Sequence, residues 1–323
     1  MKIGYTLMCE QRGPKSLVED AVLAEQAGFD FAVISDHYSP WLAEQGHSPY
    51  AWSVLGAAAA KTERIDLMTY VTCPTFRYHP AIVAQKAATV ALLSDNRFRL
   101  GLGAGERLNE QVVGAPWPAV DIRHDMLREA VEIIRGLWDG DFVNYRGEHF
   151  DVESAKLYDL PERPIPLGIA VSGKQSCELA GEHADVGVAV EPDAEIVRQF
   201  ADFGGAGKPM VGQSPCCYGT DEKAAIALSH QQFRWFGGGW KVNAELPGPS
   251  AFDAASQFVR EADMAEQIPH GPDPQAYIET VRRWAEAGFA ELAFVQIGPD
   301  QAQFCEWFSS TLRPRLQELS LAD

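Results

Sequence analysis

Short apolar, β-branched runs alternate with segments of helical periodicity along nearly the whole chain, and this alternation constrains the fold more than any single motif. Strand-like runs fall at residues 2–8, 29–36, 65–73, 98–105, 165–172, 185–191, 209–218 and 290–298. Between them, apolar residues recur at three- and four-residue spacing, as in Leu17, Val18, Ala21, Val22 and Ala24, or Leu127, Ala130, Val131, Ile134 and Leu137. A strand followed by a covering helix calls for a parallel sheet. Eight such units predict an α/β fold closed as a TIM (β/α)8 barrel, with a doubly wound open sheet as the alternative, because alternation alone does not show closure. One domain over residues 1–323 is expected, and Gly28, Gly204-Gly205 and Gly288 stand where helices should stop.

Two stretches exceed ordinary connector length: 141–164, after the fourth helix, and 236–271, within the seventh βα unit. The second, which includes the 237–271 insertion, predicts a lid or substrate wall, an oligomer contact or a plain surface insertion.

The chain is 46% hydrophobic yet contains no apolar run long enough to span a bilayer, and it enters a strand at once from Met1 without a charged leader. These features predict a cytoplasmic protein with no membrane partner. Forty-five acidic against 27 basic residues, a net charge of −18, argue against nucleic acid as a partner. They leave an anionic cofactor possible, since backbone N–H groups at helix starts hold phosphate without a basic surface. Six cysteines lack CxxC or metal-ligand spacing and read as free thiols, with no metal site expected.

Asp36-His37 closes the second strand-like run, and Gly101-Leu102-Gly103-Ala104-Gly105 ends on Glu106. In a barrel both ends lie on the C-terminal rim, where catalytic groups gather. His37 is suited to proton transfer near neutral pH. Glu106 can point into the pocket, or serve as the acid of a helix first turn shared with Asn109 and Glu110. Trp41 is either a stacking wall or core cover. The glycines are not a dinucleotide fingerprint, because the third glycine and the following acid are missing. Arg77 and Tyr78 sit on a rim loop bracketed by Pro74 and Pro80, and either meet a ligand or merely precede a helix. Ser172-Gly173 joins a strand to a helix and offers N–H groups to a phosphate, a weak signal alone. No Ser-His-Asp arrangement or HExxH motif supports hydrolase or zinc chemistry.

Together, Ser35-Asp36-His37 with Trp41, the segment 73–81 from Cys73, Leu102–Glu106 with Asn109-Glu110, Arg123–Trp138, and the closing Phe304–Leu316 resemble the bacterial luciferase-like superfamily of flavin and deazaflavin oxidoreductases, in its glucose-6-phosphate-dehydrogenase-like, coenzyme F420-using branch. The resemblance implies a TIM barrel that moves a hydride between an alcohol or carbonyl substrate and C5 of the deazaflavin. It implies His37 at the reacting carbinol with Trp41 beside it, Glu106 as proton source near the ring, and Asp36 against the ring's phenolic edge. It places a non-prolyl cis peptide at Tyr70-Val71, puts Cys73 and Asn109 among the cofactor-binding residues and sets Ser172 and Gly173 near the cofactor phosphate. A homodimer is likewise implied. The alternatives are an FMN-dependent monooxygenase of the same superfamily and a non-catalytic cofactor carrier.

One departure shapes the substrate expectation. Sugar-phosphate-oxidising relatives carry a lysine after the sixth strand, where this chain reads Val190-Glu191-Pro192-Asp193, and only Lys241 remains in the 237–271 insertion. The acidic pair predicts repulsion of a phosphate dianion and poor use of glucose 6-phosphate.

Overall fold

The computed structural model describes residues 1–320; the end of the expected 1–323 domain, residues 321–323, lies outside the described residues. Parallel strands β1 (Lys2–Leu7), β2 (Phe31–Ile34), β3 (Asp66–Thr69) and β4 (Phe98–Leu102) are followed by an antiparallel hairpin of β5 (Val143–Arg146) and β6 (Asp151–Ala155). The barrel resumes with β7 (Leu167–Ala170), β8 (Val186–Ala189), β9 (Met210–Cys216) and β10 (Glu291–Gln296). Around the barrel the order is β1-β2-β3-β4-β7-β8-β9-β10, and β10 pairs back onto β1 with Lys2 opposite Glu291. All eight expected runs are therefore barrel strands, and closure excludes the open sheet.

The barrel interior is filled by Phe31, Val33, Met68, Val188, Val211 and their neighbours. Gly4 makes room for the largest of these: a Cβ there would lie 2.4 Å from the Phe31 ring. Each fully buried side chain of this size contributes roughly 1.5–3 kcal/mol. A second, larger layer of apolar residues lies between the strands and the helices. The first covering helix, Pro14–Ala27, begins on proline and ends at Gly28, whose φ of 90° lets its N–H reach the carbonyls of Ala24 and Glu25.

Both long stretches contain structure that the sequence pattern did not disclose. The hairpin within 141–164 alternates half-buried with exposed residues and so carries little hydrophobic signal. The 236–271 stretch holds helices Trp240–Asn243, Gly248–Ser256 and Glu261–Gln267. With the preceding turn, it packs Trp235 and Phe252 against Trp41, Leu108 and Val295 in a cluster over the C-terminal ends of the strands. Among the described residues no helix is long and apolar enough to cross a membrane, and the six cysteines are free and buried.

Candidate active site

The strand ends converge on a cavity of about 700 Å³ bordered by residues following β1, β2, β3, β4 and β7 and by the 234–271 excursion. His37, just past β2, is 7% exposed and held between two carboxylates. Its Nδ1 lies 2.5 Å from Glu10 Oε1, past the end of β1, and its Nε2 lies 3.6 Å from Glu106 Oε2, past the end of β4. Trp41 meets the imidazole edge-on at 4.9 Å and stacks on Trp235 at 4.1 Å, which fixes the ring plane from the far side.

Burial alone would depress the His37 titration, but the Glu10 and Glu106 carboxylates outweigh it and raise it above the usual imidazole value. Burial pushes the Glu106 carboxyl up to about 7; proximity to His37 opposes this, while Glu10 and Glu110 reinforce it. Glu106 thus exchanges its proton near neutral pH, His37 binds its proton more tightly than an ordinary imidazole, and both border the cavity, as a proton-transfer couple requires. Glu10 sits on the opposite ring nitrogen, so it favours the Nδ1–H tautomer and leaves Nε2 free to accept a proton.

The remaining expected residues are brought to the same mouth. Asp36 is 1% exposed, and its carboxylate is largely engaged within the protein. Oδ2 accepts from Trp52 Nε1 and Thr72 Oγ1, both at 2.9 Å, while Oδ1 accepts from Tyr78 Oη at 3.1 Å and lies 3.5 Å from Arg77 Nη1. Arg77 also pairs with Glu110 at 3.0 Å, so the rim loop braces the site from behind. The Asn109 amide oxygen accepts from the N–H groups of Tyr38 and Ser39, and its nitrogen donates to Glu106 at 3.3 Å, tying the β2 and β4 loops together. The Tyr70-Val71 peptide is cis; Tyr70 Oη donates to Ala189 O at 2.6 Å, and Val71 packs on Gly103. Cys73 contacts Thr75 Oγ1 at 2.9 Å, and burial pushes its thiol well up, away from nucleophilic chemistry. The Ser172 and Gly173 N–H groups donate to Ser176 Oγ at 3.0 and 3.2 Å. A phosphate at that helix start is therefore left the N–H groups that follow them.

Sequence reasoning missed Glu10, although the strand-end logic that found Asp36 and Glu106 applies equally to Leu7-Met8-Cys9-Glu10. It also missed Trp235, which reaches Trp41 only through the tertiary course of the excursion.

A closed parallel barrel with a carboxylate, imidazole, carboxylate line at its C-terminal mouth defines a TIM-barrel enzyme equipped for proton transfer beside a large cavity. The chain belongs to the luciferase-like monooxygenase family, which it matches over residues 1–291. It is 36% identical to an F420-dependent glucose-6-phosphate dehydrogenase of Segniliparus rotundus, over 99% of both chains. A protein of the same name from Rhodococcus erythropolis is 35% identical over 99% of this chain and 98% of its own. Among solved structures, an F420-dependent secondary alcohol dehydrogenase in complex with an F420–acetone adduct superposes with a TM-score of 0.90 at 28% identity, covering 98% of each chain.

These relatives correct the expectation against glucose 6-phosphate, which finds no support. The Asp193 carboxylate caps its own helix by accepting from Glu195 N at 2.8 Å. Glu191 lines the cavity, and so do Lys241 and Arg283, the latter from helix Pro274–Glu286, so the wall carries both signs of charge.

Proposed function

We propose that this protein is a coenzyme F420-dependent dehydrogenase or reductase acting on the CH–OH or carbonyl group of a small molecule. The observation that carries this reading is His37, clamped between Glu10 and Glu106 beside the cavity. The wall fits a planar ring: Tyr70, Val71, Ala170 and Val188 make it apolar, and the backbone is stripped to glycine at Gly103 and Gly105. When bound, the deazaflavin supplies a hydride acceptor or donor at C5.

His37 Nε2 accepts the proton of the substrate hydroxyl, and Glu10 stabilises the imidazolium that results. Glu106 holds an exchangeable proton up to about pH 7 and supplies it at the cavity face. Trp41, backed by Trp235, blocks rotation of the imidazole and excludes water from one side. Asp36, Arg77 and Glu110 form a buried charge network that holds the β2 and β4 loops in register. We further propose that the chain acts as one domain and as a cytoplasmic homodimer, which sedimentation of the purified protein tests.

The direct experiment is titration with oxidised F420 and, separately, with FMN, followed by turnover assays with glucose 6-phosphate and a simple secondary alcohol. Binding of the deazaflavin with alcohol-dependent reduction is expected. Preference for FMN would move the protein to oxygen chemistry, and tight F420 binding with no turnover of any alcohol or carbonyl would make it a carrier.

A further inference from the structure

Behind the wall of the candidate active site lies a second, smaller cavity of about 230 Å³, lined by residues of the excursion. Its surface is almost wholly apolar, with Val242, Leu246, Phe252, Ala255 and Phe258 around it and bare backbone at Gly238. Ser256 also lines it, but its hydroxyl is turned onto its own helix and donates to Phe252 O at 2.7 Å. Trp235 and Asn243 border both cavities, so one layer of side chains separates this chamber from the site. On the outer side Val242 and Phe258 are exposed, which leaves apolar surface in contact with water.

The partition is fixed unevenly. Asn243 Nδ2 donates to the Trp235 carbonyl at 3.2 Å and holds its main chain. Trp235 Nε1, in contrast, is buried without a hydrogen-bond partner among the described residues, so packing alone positions the indole. One face of that indole stacks on Trp41, which meets His37 edge-on. Gly237, Gly238 and Gly239 follow directly, the last at a φ of 76°, and offer no side chains that would block a tilt of the ring. An apolar cavity of about 150 Å³ stays dry and takes benzene. A chamber of about 230 Å³ with such a lining therefore suits an aromatic ring or several methylenes better than water.

We propose that this chamber is a side pocket of the substrate site, with Trp235 as its gate. Its occupant is the apolar arm, an aromatic ring or a chain of several carbons, of an alcohol or ketone whose reacting carbon lies at His37. Trp235 is then a specificity-determining residue. The inference rests on the dehydrogenase reading above and narrows its substrate class. Continuity identifies the occupant as part of the substrate, because the inner wall of the chamber is the wall of the site itself.

The test compares kcat/KM of the F420-loaded protein for propan-2-ol, octan-2-ol and 4-phenylbutan-2-ol in the wild type, Ala255→Phe and Ala255→Leu. Ala255 borders the chamber and not the site, so a larger side chain there fills the one without entering the other. Each buried methylene strengthens binding roughly fourfold, so the wild type should favour both long alcohols over propan-2-ol by about tenfold or more. Ala255→Phe should cost the long alcohols about tenfold, through KM, with propan-2-ol and glucose 6-phosphate changed less than about twofold. Ala255→Leu should lose less, and it decides the matter if the larger substitution prevents folding. An equal loss for every substrate, or none for the long alcohols, in a variant with wild-type F420 affinity would overturn the proposal. If no alcohol is oxidised at all, the dehydrogenase reading fails. Calorimetric titration with 4-phenylbutan-2-ol then decides the chamber: binding to the wild type that Ala255→Phe weakens supports the pocket, and equal or absent binding to both overturns it.

Discussion

Glu10, His37 and Glu106 lie in one short line of atoms, and under the proposed function single substitutions separate the roles of His37 and Glu106. His37→Asn keeps a hydrogen-bonding side chain but removes the proton acceptor. Turnover should fall about 10²–10⁴-fold while F420 affinity changes little, as measured by steady-state kinetics alongside fluorescence titration. A comparable loss of both would mean that His37 serves binding. For Glu106, the folded carboxyl is raised to about 7, so its acid form is lost as the pH rises through that value. The rate should decline on an alkaline limb near pH 7, and Glu106→Gln should be slower but lack that limb. Stability has the same sign. A carboxyl whose folded pKa is raised contributes fully below its ordinary pKa and loses that contribution as pH rises through about 7. Relative to Glu106→Gln, the wild-type protein should therefore lose on the order of 1–3 kcal/mol between about pH 4.5 and 7, measured by denaturant titration. The raised His37 value adds to the trend: its ion pairing is complete below the ordinary imidazole pKa and fades as pH rises through the folded one. Asp36, Trp41 and Glu106 were legible one by one because each lies just past a strand end; their partners Glu10, Trp52 and Trp235 were not, because hydrogen bonding and stacking join residues that local pattern treats as unrelated.

At the scale of elements, the glycine-rich end of β4 is a packing requirement as well as a site wall. A Cβ at Gly101 would lie 2.1 Å from the backbone carbonyl oxygen of Thr69 on β3. Thr69 Oγ1 already accepts from Gly101 N and donates to Gly101 O, locking the two strands edge to edge. Gly101→Ala should cost about 1–3 kcal/mol, since a backbone atom cannot rotate away, and denaturation at constant pH would show it; an unchanged midpoint would mean that the strands separate easily. The excursion over the mouth is held by Arg234 to Glu44 and Asp253, by Glu245 to Arg123 and Trp117, and by the Trp41–Trp235 stack. Strand positions were readable because buried parallel strands are nearly continuous apolar runs. The exposed hairpin and the short helices of the excursion escaped because their stability comes from neighbours more than from their own periodicity.

For the whole molecule, the cavity sits where the strand ends and the excursion meet, so ligand binding should reinforce the fold at its least regular part. F420 at about 100 times its dissociation constant should stabilise the protein by about 2.7 kcal/mol and raise the thermal midpoint by several degrees, which differential scanning fluorimetry would measure; an unchanged midpoint at saturation would mean that the ligand binds outside this fold-stabilising cavity or binds the unfolded chain equally. The sequence by itself determined eight strand–helix units, because alternation of apolar strands and amphipathic helices is a one-dimensional signal of a layered fold, and it placed the rim acid and histidine just after strands; that the sheet closes into a barrel was decided by the structure. Only the tertiary structure decided which groups touch. Closure brought Glu10 to the back of His37, the excursion folded down so that Trp235 meets Trp41, and Arg283 came to line the cavity with Glu191 and Lys241. Such contacts depend on the three-dimensional path of segments far apart in the chain, and distance along the chain holds no record of them.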